Sequence, residues 1–356
     1  MSRANGPRVF DVVDPATIVD PVALSVGLYG FTGTGKTESA LRLAHGIRRV
    51  TGGRVILADC DNGRGLHFCR GPKALFPETA YVDFRAPHNA RDYTALLEQM
   101  ARERGVLVID NMSAEHDGEG GLLDSKEAAM YDRSGTYKEG RSAVAWNEAK
   151  TPHKAMVRAF VRVNRGLPII VTWRAQEKLD WSAKNDQGRS EPKSQGEMPI
   201  GSRDLPFEMT ATYLLPVGSR GVPCLKPEEK GERMMTKIPR WFSDIVKSGD
   251  AFREEHGEAM ATWAFGPAEH PDVTRLGAAI DAAPDDAAVD AAGKEASALV
   301  RARTLTKADL DKLSTRARAR RAALRGEVAA PPSTVPPARP TPPAAAPPSD
   351  PEDFPR

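Results

Sequence analysis

Leu24-Ser-Val-Gly-Leu-Tyr29-Gly30-Phe-Thr32-Gly33-Thr34-Gly35-Lys36-Thr37 is the stretch on which the reading of this chain turns. Its first six residues make an apolar strand candidate. Residues 30–37 fit G-x-x-x-x-G-K-[ST] directly after it. Ala40, Leu43, Ala44 and Ile47 then recur at i, i+3, i+4 and i+7, the spacing of one apolar helix face. Strand, glycine-rich turn and helix in this order make a phosphate cradle. The glycines let successive backbone N–H groups curl around phosphate oxygens, and the helix N-terminus adds partial positive charge. Lys36 is then within reach of the β- and γ-phosphates, and Thr37 offers a hydroxyl to Mg²⁺. The expected ligands are ATP and Mg²⁺, and the expected binding residues are Gly30, Thr32, Gly33, Thr34, Gly35, Lys36 and Thr37.

Outward from the loop, short apolar runs alternate with amphipathic stretches, which predicts an α/β fold with a mainly parallel sheet. The strand candidates are Leu24–Tyr29, Arg54–Ala58, Ala80–Phe84, Val106–Ile109, Ile169–Trp173 and Met209–Leu215. Tyr93, Leu96, Leu97 and Met100 mark one further helix face, and Met156, Ala159, Phe160 and Val163 another. Thr151-Pro152 reads as N-cap and first residue of the latter helix. The expected division is an N-terminal segment 1–21, an α/β domain 22–248, a helical module 249–327 and a Pro/Ala-rich tail 328–356. In the module, Thr306 and Asp309 are spaced as a capping box before Leu310, Leu313 and Ala317. The tail's composition predicts disorder.

Composition removes several classes. No apolar run approaches the roughly 20 residues of a membrane span, and the first residues lack the layout of a secretory signal, so a cytoplasmic location without membrane contact is expected. Cys60, Cys69 and Cys224 form no C-x-x-C pair, and the histidines have no ligand spacing, which argues against a structural metal site. A net charge of +2 gives no global attraction to nucleic acid, so such binding must come from local clusters.

Two carboxylate positions complete the expected site. Val106-Leu-Val-Ile-Asp110 is a buried strand ending in Asp, the pattern of a metal-side carboxylate. Asn111 follows it where many motor ATPases have Glu, so a general base must come from elsewhere. Asp59 and Asp61 end the strand after the loop helix, at the edge where α/β sheets bind ligands. Either could orient an attacking water; both could equally cap a turn.

With these residues in view, the chain resembles the RecA-like recombinase ATPases, and more closely the phage-encoded P-loop ATPases of the Sak-type single-strand annealing group. The resemblance covers about 24–242 and rests on 27–37, on Asp59-Cys-Asp-Asn-Gly-Arg64 and on Trp146 to Lys178. It implies a RecA-like core acting in recombination or replication, with Asp61 at the water-activating position and Thr172 as a γ-phosphate sensor. It also implies Arg174 and Lys178 as phosphate contacts within or between subunits, and a homo-oligomer. Single-stranded DNA is the implied partner. Two segments, Met112–Arg141 and Trp181–Arg203, read as flexible loops able to touch it. The second holds Lys184, Arg189, Lys193 and Arg203, with Trp181 as a stacking platform. Arg316, Arg318, Arg320, Arg321 and Arg325 add a basic helix. The acidic-aromatic end, Ser349 to Arg356, is similar to tips by which single-strand-binding proteins recruit partners. Two other functions stay open: a packaging or helicase-loader motor, and a non-hydrolysing nucleotide switch.

Overall fold

The structure, a computed structural model, describes residues 10, 12–15, 21–132, 134–181, 191–226, 235–266, 271–302, 305 and 307–325. Among these, seven strands form one sheet: β1 (Ser25–Gly30), β2 (Arg54–Asp59), β3 (Ala80–Asp83), β4 (Gly105–Asp110), β5 (Ile169–Asp180), β6 (Lys193–Pro199) and β7 (Ala211–Leu214). The order is β3-β2-β4-β5-β1-β7, and every pair along it is parallel. β6 adds antiparallel to the second half of β5.

Alternation along each strand divides the core between two faces. On β4, Val106 and Val108 join Leu28, Leu43 and Ile47 on the side of α1 (Lys36–Thr51). Leu107 and Ile109 join Tyr93, Leu97, Met156 and Phe160 on the side of α3 (Ala90–Met100) and α6 (Ser142–Val163). Strands covered on both faces need no polar positions, which is why their sequences are continuous apolar runs. Short helices α2 (Leu66–Cys69), α4 (Ser113–Asp117), α5 (Leu122–Ala128), α7 (Asp204–Glu208) and α8 (Arg240–Ile245) punctuate the connections. No helix among the described residues is long and apolar enough to cross a membrane.

The sheet-bearing unit runs to Ala268, not to residue 248. The reason is α9 (Glu254–Phe265), which lies backbone to backbone on α1. A Cβ on Gly46 would stand 1.9 Å from the Glu254 carbonyl oxygen, and one on Gly257 would stand 2.1 Å from that of Leu43. Neither neighbour is a flexible side chain that could yield. Gly257→Ala is therefore expected to destabilise the unit by about 1–3 kcal/mol, although Ala is the better helix former. A lowered midpoint in urea or thermal unfolding checks this, and an unchanged one would contradict the close approach.

Three further expectations are corrected. α6 begins at Ser142 and takes Pro152 into its interior. Ala145, Ala149, His153, Met156 and Phe160 form one buried stripe that carries the helix through the proline despite the lost N–H. The 112–141 segment is not one open loop: α4, α5 and a 3₁₀ turn at Glu139–Arg141 occupy it, anchored by buried Leu122 and Met130. Residues 193–199 likewise form β6 rather than loop.

The second unit, from Glu269, contains α10 (Pro271–Asp281), α11 (Asp286–Arg301) and α12 (Lys307–Leu324), packed through Val273, Ile280, Val289, Ala296 and Leu313. The arginines at 316–325, expected as phosphate contacts, make bonds within the bundle while staying partly or largely exposed. Arg316 pairs with Asp281, Arg321 with Asp290 and Arg325 with Asp286, while Arg320 donates to the Ala283 carbonyl. Thr306 of the expected capping box, the 328–356 tail and most of 1–21 lie outside the described residues.

Candidate functional site

All parallel strands point their C-terminal ends at one edge, and register fixes what meets there. Gly30 stands opposite Arg174, Leu28 opposite Thr172, and Asp59 opposite Asp110. Since β5 lies between β1 and β4, residues 172–174 stand between the loop and Asp110.

The loop's shape depends on its glycines. Gly33 and Gly35 have φ of 78° and 91°, in the left-handed region that side chains disfavour. A Cβ on Gly30 would meet the Leu215 carbonyl oxygen at 2.2 Å. Thr34 is buried, and its hydroxyl donates to the Phe31 carbonyl, which ties the turn across itself; Thr32 is exposed. Lys36 Nζ donates to the carbonyls of Gly30 (3.0 Å) and Phe31 (2.8 Å), so the ammonium is folded over the loop. Burial lowers its pKa, and Asp110 and Asp61 pull in the opposite direction.

Asp110 is the centre of the arrangement. Its carboxylate accepts from the Thr37 hydroxyl at 2.6 Å on one oxygen and from the Thr172 hydroxyl on the other. Burial pushes its pKa up, against both hydroxyl bonds. One carboxylate and one hydroxyl, already in contact, fit Mg²⁺, which otherwise keeps waters and substrate phosphates as ligands. Thr172 is fully buried, with its hydroxyl on Asp110.

No protein-family model matches this chain, and no curated protein matches it.

The two carboxylates after β2 have different surroundings. Asp59 is buried and accepts from the backbone N–H of Asp61 and Gly65, both at 2.7 Å, and from the Tyr81 hydroxyl at 3.0 Å. It caps the 61–65 turn. Asp61 keeps a partly exposed carboxylate that accepts from the side-chain amide of Asn111 at 3.1 Å and faces Arg64 at 3.7 Å. Arg174 lies inside β5, not after a strand end, because β6 extends the pairing to Asp180. α4 holds it twice: Ser113 Oγ accepts from its backbone N–H, and Asp117 pairs with its guanidinium. Register sets Arg174 beside Gly30, and hydrogen bonds tie Thr37 to Asp110 and Asp61 to the adjoining Asn111, so the loop, both candidate carboxylates and the candidate arginine meet at one sheet edge.

Three features carried no motif. The turn after β7 closes on the loop: Gly221 donates its N–H to the Thr34 carbonyl, and a Cβ on Gly35 would meet Gly221 N at 2.8 Å. Between this turn and the start of α1 is a cavity of about 520 Å³, bordered by Gly35, Ser39, Arg42, Arg220, Phe252 and Arg253. The signal for it was Gly218-Ser-Arg-Gly221, a turn directly beyond a buried strand. Glu115, five residues past Asp110, is buried and engaged by His153 Nδ1 at 2.9 Å. Lys178, expected as a phosphate contact, lies on β5; of the basic residues assigned to DNA, Lys193 lies on β6 and Arg203 just before α7. Trp181 is exposed beside Lys178 and Arg203, while Lys184 and Arg189 lie outside the described residues.

Proposed function

We propose that this chain is a RecA-like ATPase that binds ATP with Mg²⁺ through residues 30–37, hydrolyses it, and acts on single-stranded DNA in the cytoplasm. The observation that carries the reading is the 2.6 Å hydrogen bond from Thr37 to Asp110. It joins the last residue of the loop motif to a carboxylate from another strand. A chance glycine-rich turn has no need of that partner.

Lys36 and the N-terminal backbone of α1 hold the phosphates, Thr37 and Asp110 hold the metal side, and the cavity beside Arg220 and Phe252 takes the nucleoside. When bound, Mg²⁺ neutralises charge on the β- and γ-phosphate oxygens. Asp61 accepts the proton of the attacking water. Arg174, released from Asp117, stabilises transferred charge in its own subunit or a neighbour's, which suits a homo-oligomer. The exposed Trp181 with Lys178 and Lys193 of the β5–β6 pair, and with Arg203 just before α7, offers the stacking and cationic groups that single strands need.

Phosphate release measured with ATP and Mg²⁺, with and without single-stranded DNA, tests the proposal. Mg²⁺-dependent release that DNA stimulates is expected. ATP binding without any release would leave a nucleotide switch, and release indifferent to DNA would remove the single strand as partner.

A further inference from the structure

We infer that Asn111 is the positioning residue of the hydrolytic carboxylate: its side-chain amide holds Asp61 at the nucleotide. The inference rests on the proposed role of Asp61. Asn111 directly follows Asp110, where a base would stand in an Asp-Glu motif. Instead its Nδ2 donates to Asp61 Oδ1 at 3.1 Å. A carboxylate only accepts, so the amide nitrogen is the end that faces it. The work of one Glu is thereby divided between a base on the β2 side and its holder on the β4 side.

The backbone brings the two together. Cys60 N–H donates to the Asp110 carbonyl at 2.6 Å, and Met112 N–H donates to that of Thr172 at 2.8 Å. These bonds clamp residues 60 and 61 beside 110 and 111 and fix the direction of the Asn111 side chain. Asn111 is 3% exposed, and its Oδ1 is buried without a hydrogen-bond partner among the described residues. A polar group left in this state destabilises the fold by about 1–3 kcal/mol. An amide kept only for packing would be better replaced by an apolar side chain of similar volume. Its bond to Asp61 is what the amide provides.

Asp61 has a competing partner. Arg64 is 3.7 Å away with a largely exposed side chain, and it draws the carboxylate toward solvent. Such exposed pairs contribute at most about 1 kcal/mol. The buried amide, donating to a charged acceptor, is the stronger hold. Without it, the ion pair with Arg64 draws the Asp61 carboxylate outward unopposed by the amide.

Steady-state hydrolysis by the full chain tests this. Asn111→Ala removes the donor, and Asn111→Asp keeps the shape while placing a like charge beside Asp61. Each is expected to lower kcat by about 10–100-fold, the rate equivalent of one hydrogen bond to a charged group, with KM and ATP affinity unchanged. Unchanged affinity also shows that the variant is folded. In an Asp61→Asn background, Asn111→Ala is expected to have no further effect, because both changes disable one unit. Wild-type kcat in either single variant beside an inactive Asp61→Asn, or additive losses in the double variant, would overturn the positioning role alone. Wild-type turnover by Asp61→Asn would overturn the base assignment and this inference with it.

Discussion

Lys36→Ala removes ATP turnover. Lys36 Nζ already bridges the carbonyls at both ends of the Gly30–Phe31 step, so the ammonium lies over the cradle in which phosphates would sit. Among the basic groups near the loop, Arg174 is engaged by Asp117, and Lys36 alone is part of the loop motif. Loss of one preorganised donor to developing charge typically lowers kcat by about 10²–10³-fold, and a full cation removed from a partly buried site falls at or beyond the upper end. The backbone cradle survives the change, because Gly33, Gly35 and the Thr34 hydroxyl set its shape. Phosphate release at saturating ATP is the measurement. Wild-type turnover would end the claim that residues 30–37 hold the triphosphate, whereas retained binding with no release matches it.

The parts of this molecule that obey a local rule were readable before the structure. β1 and α1 announced themselves by an apolar run, a glycine-rich turn and a 3.6-residue stripe, and Asp110 by its place at the end of Val106-Leu-Val-Ile. Register then did what no pattern could. Thr172 stands out in the sequence by resemblance alone; its contact with Asp110 appears when β5 inserts between β1 and β4 and sets its hydroxyl against that carboxylate. β6 has no strand signature, because Lys193-Ser-Gln-Gly-Glu-Met-Pro199 is polar and holds a glycine and a proline; its partner, not its propensity, makes it a strand. The start of α6 is hidden in the sequence because Pro152 is a stronger local signal than the small residues Ala145 and Ala149, whose burial only the packed structure reveals. Gly46 and Gly257 likewise look like helix weaknesses in sequence. They are where α1 and α9 touch.

Asp61→Asn keeps ATP binding and loses hydrolysis. The amide preserves the size of the carboxylate, and its oxygen still accepts from Asn111 Nδ2, so the turn and its anchor are retained. What disappears is the basic oxygen, and general-base assistance contributes about 10²–10⁴-fold in rate. The structure supplies two internal comparisons. Asp59→Asn lies two residues earlier, but its carboxylate is consumed by the Asp61 and Gly65 N–H groups and the Tyr81 hydroxyl. An amide there turns one N–H toward these donors. The expected result is lower stability, read in an unfolding curve, more than lower kcat at temperatures where the chain stays folded. Glu115→Gln changes a buried group that His153 engages, and it too should act on stability first. Three isosteric changes thus separate a base from two structural carboxylates, provided turnover and unfolding are measured on the same preparations. Normal hydrolysis by Asp61→Asn together with an inactive but folded Glu115→Gln would move the base to α4. The RecA-like assignment of Asp61 would then fall, while nucleotide binding, which rests on the loop and on Thr37 with Asp110, would stand.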